Sequence, residues 1–240
     1  MNNLVLELQA KNRDGLMVIT LNRPQKANAL TLEMMRGLAE ALRDARADGA
    51  VRGVLITGAG ERVFSGGVDM RQTSTLPEAE FRQARSTAFF ALLMQLVDFE
   101  KPVVAAVNGV ASGGGFMIAA LADVIVASDN ALFALPEINL GSPPLAGLAI
   151  LSPLVGGALA YDLVQSARNL NAAEAEQRGL VRAVTPRAEV VATGEKMARE
   201  LIAKKARVFS ASKAWMRKPI REALLKAEHA MVEWRAAGGE

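Results

Sequence analysis

Residues 102–123 read PVVAAVNGVASGGGFMIAALAD. Positions 102–122 carry no charge, a run longer than the roughly 18 residues that suffice for a membrane helix. Asn108, Ser112 and four glycines, at 109 and 113–115, rule out one unbroken helix. The stretch divides instead into a buried strand, a glycine turn and a short apolar helix. A second uncharged run, 138–161, contains Asn139 and prolines at 143, 144 and 153, and it too reads as several buried elements joined by turns.

Upstream, the same pattern occurs once before. VLITG at 54–58 leads to SGG at 65–67, as VVAAV at 103–107 leads to SGG at 112–114. Helical patterns lie before and between them. Thr31 is placed to cap a helix with Leu32, Met35, Leu38 and Leu42 on one face. Residues 78–98 repeat the period through Phe81, Ala84, Ala88 and Leu92. LVLEL (4–8) and GLMVITLN (15–22), joined through NRDG, predict a hairpin. VIVAS (124–128) and ALFAL (131–135) are strand-like, LPEINLGSPPLAG (135–147) is an irregular loop, and AGERVFSGGVDM (59–70) is a loop. Strands alternating with helices predict an α/β fold with a largely parallel sheet. From about 190 the chain becomes helical and more charged, which predicts a core over 1–189 and a helical C-terminal region over 190–240.

Composition narrows the chemistry. The 240 residues are 51% hydrophobic and 22% charged, an ordinary globular balance. Without cysteine there are no disulfides, thiol nucleophiles or thiolate metal sites. No cluster of His, Asp and Glu has metal-ligand spacing, so no metal is expected. The formal charge of +3 is too small to argue for nucleic acid, and no signal-like apolar core opens MNNLVLELQAKNRDG. A cytoplasmic protein with no membrane or nucleic-acid partner is the expectation. GVASGGG lacks the G-x-G-x-x-G spacing, no G-K-S/T follows a glycine loop, and there is no G-x-S-x-G. The single histidine, His229, falls in the charged C-terminal helix and reads as a surface residue.

What remains is glycine loops and isolated acids. An SGG can simply turn a chain tightly. Two of them after neighbouring strands can also aim backbone N–H groups at one point, as an oxyanion hole does. Three acids stand in uncharged sequence. Asp123 ends the apolar helix and suits a structural ion pair or hydrogen bond, and Asp69 follows the first glycine pair and can brace that loop. Glu137 sits in the charge-free loop, where apolar surroundings would raise its pKa toward that of a general base.

RPQKANAL (23–30), FSGGVDM (64–70), NGVASGGG (108–115) with Asp123, and LPEINLG (135–141), in that order, resemble the crotonase superfamily, the enoyl-CoA hydratase/isomerase proteins. The resemblance runs from about residue 4 to residue 220. It implies a spiral of ββα units with a C-terminal helical region that packs homotrimers, which in the family often pair into hexamers. It implies an acyl-CoA thioester substrate and no separate cofactor, coenzyme A being part of the substrate. It places the oxyanion hole at the N–H groups of Val68 and Gly114. Lys26, Ala27 and Ala29 become coenzyme A contacts, and Gly66, Asp69, Met70, Gly113, Met117 and Leu145 complete the substrate region. The chain ends at WRAAGGE, where family members usually continue with a helix over the adenine, so a trimer is expected ahead of a hexamer.

The departures point to a reaction. Family hydratases hold a water between two glutamates; the first matches Met117 here and the second matches Glu137. Their P-G-x-G-G reads Pro144-Leu145-Ala146-Gly147-Leu148, so leucines replace two glycines and predict a drier, more crowded site. One carboxylate in a dry pocket resembles the family's Δ3,Δ2-enoyl-CoA isomerases. The rivals are a one-glutamate hydratase, another chemistry served by the same oxyanion hole (thioester hydrolysis, decarboxylation, dehalogenation), and a silent coenzyme A- or RNA-binding homologue. A sequence pI of about 9.4 permits RNA, but the basic residues are scattered without interleaved aromatics.

Overall fold

A computed structural model describes residues 7–239. It opens with the hairpin β1 (Leu8–Arg13) and β2 (Leu16–Leu21), paired antiparallel through the NRDG turn. The first arm lies later than LVLEL; positions 4–6 of that stretch lie outside the described residues. Helix α1 (Leu32–Ala47) follows, and the Thr31 hydroxyl accepts from the Met34 N–H at 3.1 Å. Such a cap contributes about 1 kcal/mol.

Three units of two strands and one helix come next. They are β3 (Gly53–Gly58), β4 (Val63–Ser65) and α2 (Glu78–Val97); β5 (Val103–Val107), β6 (Val110–Ser112) and α3 (Gly114–Ala120); and β7 (Val124–Ser128), β8 (Leu132–Ala134) and α4 (Leu145–Val155). The chain continues through α5 (Gly157–Ser166), β9 (Leu170–Asn171), α6 (Ala172–Gln177), β10 (Ala183–Thr185), α7 (Val190–Ile202) and α8 (Ala206–Ala236). In each unit the first strand joins one sheet and the second strand joins another. The six-stranded sheet has the order β1-β2-β3-β5-β7-β10, parallel from β2 onward, and the four-stranded sheet has the order β4-β6-β8-β9. The predicted parallel α/β fold is present. The short strands β4 and β6 lie inside segments read from sequence as loops.

β3 and β5 are buried at every position because both faces of the sheet are covered. Alternate residues separate the two faces. Leu55, Val104 and Ala106 pack with Val190 and Ala198 of α7. Val54, Ile56, Val103 and Ala105 face the larger core shared with α1, α2 and α3. The helical C-terminal region therefore begins with a helix that closes the sheet. Phe116 of α3 and Phe133 of β8 meet at 5.1 Å between ring centroids, and each is essentially fully buried. A side chain of that size contributes roughly 1.5–3 kcal/mol on burial. The uncharged run 138–161 becomes α4 and α5, broken at Gly156 and not at Pro153, which lies inside α4.

Candidate active site

The glycine loops leave the smaller sheet. β4 and β6 are parallel neighbours, as are β6 and β8, and the three strands end at Ser65, Ser112 and Ala134. The next few residues of each are Gly66-Gly67-Val68, Gly113-Gly114 and Leu135-Pro136-Glu137. One edge of three parallel strands thus delivers both predicted amide donors and the predicted base. The Gly113 N–H donates to the Ala134 carbonyl at 2.9 Å and ties the second loop to the third.

The first two loops touch closely. A Cβ on Gly67, where φ is +88°, would stand 2.8 Å from the Ser112 carbonyl oxygen and 3.1 Å from the Gly114 nitrogen. Gly113 has φ +51° and ψ −124°, and a Cβ there would stand 3.0 Å from Oε1 of Glu137. At Gly67 a positive φ combines with a backbone neighbour that leaves no room, and at Gly113 the positive φ itself strains any other residue. Leu30 donates to the Gly67 carbonyl and accepts from the Asp69 N–H, which leaves the Val68 N–H on the other edge of the segment. Among the described residues neither the Val68 nor the Gly114 N–H has a partner. Gly114 opens α3, where N–H groups are free by geometry.

Glu137 begins the single turn Glu137–Leu140. Burial pushes its carboxyl up to about 7, offset only by its own backbone N–H. Its Oε2 is buried with no hydrogen-bond partner among the described residues. A cavity of about 220 Å³ lies against it, and Gly66, Val68, Met70, Gly113, Gly114, Met117 and Glu137 all line it. Glu137 is the sole acid among the described lining residues. Met117 is 5% exposed and presents an apolar surface to the cavity. Met70, 63% exposed, sits at the solvent side of its loop.

Other predicted residues stand elsewhere. Leu145 is not on the cavity wall; with Leu148 it packs against the core as α4 begins, and the wall there is Pro143, Pro144 and Ala146. Lys26, Ala27 and Ala29 do not line the cavity, but Ala27 is one residue from it through its carbonyl, which accepts from the Gly66 N–H at 2.8 Å. Asp69 lies behind the wall. Its carboxylate accepts from Arg23 at 2.6 Å and from the Arg71 N–H at 2.9 Å. Burial alone would raise this carboxyl, but those bonds and the charges of Arg23 and Lys26 hold it below its ordinary value. Asp69 braces the loop. His229 is exposed, 3.3 Å from Glu233. Among the described residues no group of three or more His, Asp or Glu is placed to hold a metal, and no helix is long and apolar enough to cross a membrane.

Two sets of residues escaped the sequence reading. Asn28 is fully buried with a left-handed φ of +49°. Its side chain accepts from the Arg23 N–H and donates to the Ala59 and Val63 carbonyls, so it pins RPQKANAL to the start of β4. An asparagine between alanines, tolerant of that conformation, was a usable signal. The second set is Arg82, Arg85, Ser86 and Phe89 of α2 with Met231 and Arg235 of α8, all on the cavity wall. The spacing of three and four within each helix marks one face.

Similar proteins were found by sequence and by structure. Residues 11–235 match the family model described as "Enoyl-CoA hydratase/isomerase". A carnitinyl-CoA dehydratase from Salmonella enteritidis PT4 is 39% identical over 194 residues, which is 79% of this chain and 72% of the relative. A crystal structure of an enoyl-CoA hydratase from Mycobacterium avium subsp. paratuberculosis K-10 is similar with a TM-score of 0.85 and 31% identity, over 97% of this chain and 90% of that one. One of an enoyl-CoA hydratase from Bacillus anthracis is similar with a TM-score of 0.83 and 27% identity, over 95% and 90%.

Proposed function

The chain belongs to the enoyl-CoA hydratase/isomerase family, the crotonase superfamily, and from that premise we propose that it shifts the double bond of a 3-enoyl-CoA to the 2-position with Glu137 as its single proton carrier. The observation that carries this reading is the buried Oε2 of Glu137 without a partner among the described residues, on the sole lining acid and beside an apolar Met117.

The ionised Glu137 takes a proton from C2 of the acyl group. The electron pair moves into the carbonyl, and the thioester oxygen becomes that of a dienolate. The Val68 and Gly114 N–H groups donate to that oxygen. Fixed donors of this kind lower a barrier by about 3–4 kcal/mol each. The dienolate then collapses as the protonated Glu137 returns the proton at C4, which leaves the double bond between C2 and C3 and the carboxylate regenerated. A carboxyl with a pKa near 7 suits both halves, because it is partly ionised near neutrality and a stronger base than an ordinary carboxylate. Phe89, Phe90, Met117, Pro143 and Pro144 on the wall keep the dienolate away from water.

The coenzyme A portion belongs beside RPQKANAL, where the Ala27 carbonyl holds Gly66 and Lys26 carries an exposed charge. Assembly as a homotrimer is part of the same reading. Val208, Trp215 and Met216 of α8 are exposed at 62%, 77% and 71%, which suits a face covered by a partner. A native mass of a single 25.5 kDa chain would end that part.

A hydratase with one glutamate is the second reading, favoured by the dehydratase and hydratase names of the relatives. Offering matched 3-enoyl-CoA and 2-enoyl-CoA substrates side by side decides between them. Isomerisation without appreciable 3-hydroxyacyl-CoA is expected; rapid water addition with no double-bond shift would overturn the proposal.

A further inference from the structure

The wall built by α2 and α8 carries three guanidinium groups that the proton transfer does not use. Arg82 and Arg85 lie three apart on α2, and Arg235 comes from the last turn of α8. Arg85 is 6% exposed. Its guanidinium sits 5.0 Å over the Phe81 ring and reaches the Asp69 carbonyl oxygen at 3.4 Å. Among the described residues no carboxylate pairs with Arg85 or Arg235. Arg82 has Glu78 at 3.9 Å, with both side chains largely in solvent. Burial, and then the charge of Arg82, hold the Arg235 guanidinium below its ordinary value. Three cations therefore line a cavity whose one lining acid is Glu137, and the only carboxylate paired with any of them among the described residues is the loose Glu78, an arrangement that an incoming anion would relieve.

We infer that this wall receives a carboxylate at the far end of the acyl group, so that the substrate is the coenzyme A thioester of an unsaturated dicarboxylic acid. The inference rests on the thioester reading above. Arginine suits the task because its planar fork grips a carboxylate bidentately and keeps its charge at any working pH. The cations are not there for Glu137, whose carboxyl is perturbed by burial and its own backbone N–H and by no arginine charge. The cavity thus combines the glycine loops and Glu137 with the arginine wall of the two helices, Arg85 reaching the loop that follows Val68. An acyl group with a fixed positive charge, such as a carnitinyl group, would be repelled there. The phosphates of coenzyme A offer the same anionic chemistry, but the segment assigned to them, with Lys26, does not line this cavity.

Saturated thioesters that cannot turn over separate these sources. Calorimetric titration of the full chain with glutaryl-CoA and pentanoyl-CoA compares five-carbon acyl groups that differ at the far end. Glutaryl-CoA is expected to bind about tenfold more tightly or better. In an Arg82→Gln/Arg235→Gln double variant that preference should collapse to near unity through weaker glutaryl-CoA binding alone, and Arg235→Lys should retain part of it. Equal binding of the two thioesters to the unmodified protein would overturn the inference. So would an equal loss for both thioesters in the double variant, which would place the arginines on the coenzyme A phosphates. Because no turnover is read, a failed isomerase assay leaves this result standing.

Discussion

Asp123 and Glu137 are both acids embedded in uncharged sequence, and the fold treats them in opposite ways. Asp123 lies just after α3, and both its carboxylate oxygens have partners. Its Oδ2 accepts from Lys213 at 2.7 Å and from the Val103 N–H at 2.8 Å, and Arg217 stands 3.4 Å from Oδ1. Lys213 and Arg217 are themselves nearly buried on α8, so the cluster fastens that helix to the strand–helix core. Glu137 is also largely buried, yet its Oε2 has no partner among the described residues and its pKa rises to about 7. A carboxylate whose lone pairs are all engaged holds structure together. One whose lone pairs are left open in a cavity can move protons.

The sharpest way to break this contrast is to neutralise each acid in turn. Glu137→Gln should lower the isomerisation kcat by at least about 10³-fold, since no second acid on the described wall can carry the proton. Its affinity for a non-reactive acyl-CoA should stay within a few-fold, as calorimetry would show. Asp123→Ala should instead cost about 3–5 kcal/mol in stability by leaving Lys213 and Arg217 buried and unpaired. Urea unfolding reads that loss, while kcat per folded molecule changes little.

The contrast sharpens further in the stability of the Glu137→Gln protein. The folded-state pKa of Glu137 lies above the unfolded value near 4.5, so the native protein holds the proton longer. Native stability therefore falls as pH rises from about 4.5 through about 7, by roughly 3 kcal/mol in all. A neutral amide at this position escapes that penalty. The variant should be more stable than the parent at pH 8.5 and similar to it at pH 4.5, whereas a catalytically dead variant with no such gain would mean that the carboxylate is not strained. The smallest effect belongs far from the site: Thr31→Ala should lower stability by about 1 kcal/mol and leave the rate unchanged.

Long apolar strands, the Thr31 cap and the paired glycine loops could be read from the chain because each has a local signature. The smaller sheet could not. Only β8 showed in the sequence, as ALFAL; β4 and β6 are three residues each, too short for a period to register, and they exist because neighbouring strands supply their hydrogen bonds. The predicted amide donors follow those two hidden strands, and the base follows β8 beside them. Leu145 failed as a wall residue because the first turn of α4 directs it to the core, a rotation that the loop reading did not contain. The arginine wall was missed for a different reason. Cations on a helix are ordinarily solvated, and only the crossing of α2 and α8 brings Arg82, Arg85 and Arg235 around one cavity.

The central claim is that an unpaired, buried carboxylate is the acting base, and the pH profile of kcat/KM for 3-enoyl-CoA isomerisation tests it most directly. Only the ionised form of Glu137 can take the proton, and its fraction grows with pH. The rate should therefore rise tenfold per unit at low pH, bend near 7 and level off above. A profile already level from pH 5 upward would mean that the base ionises like an ordinary surface acid, and the single-carboxylate mechanism would fall.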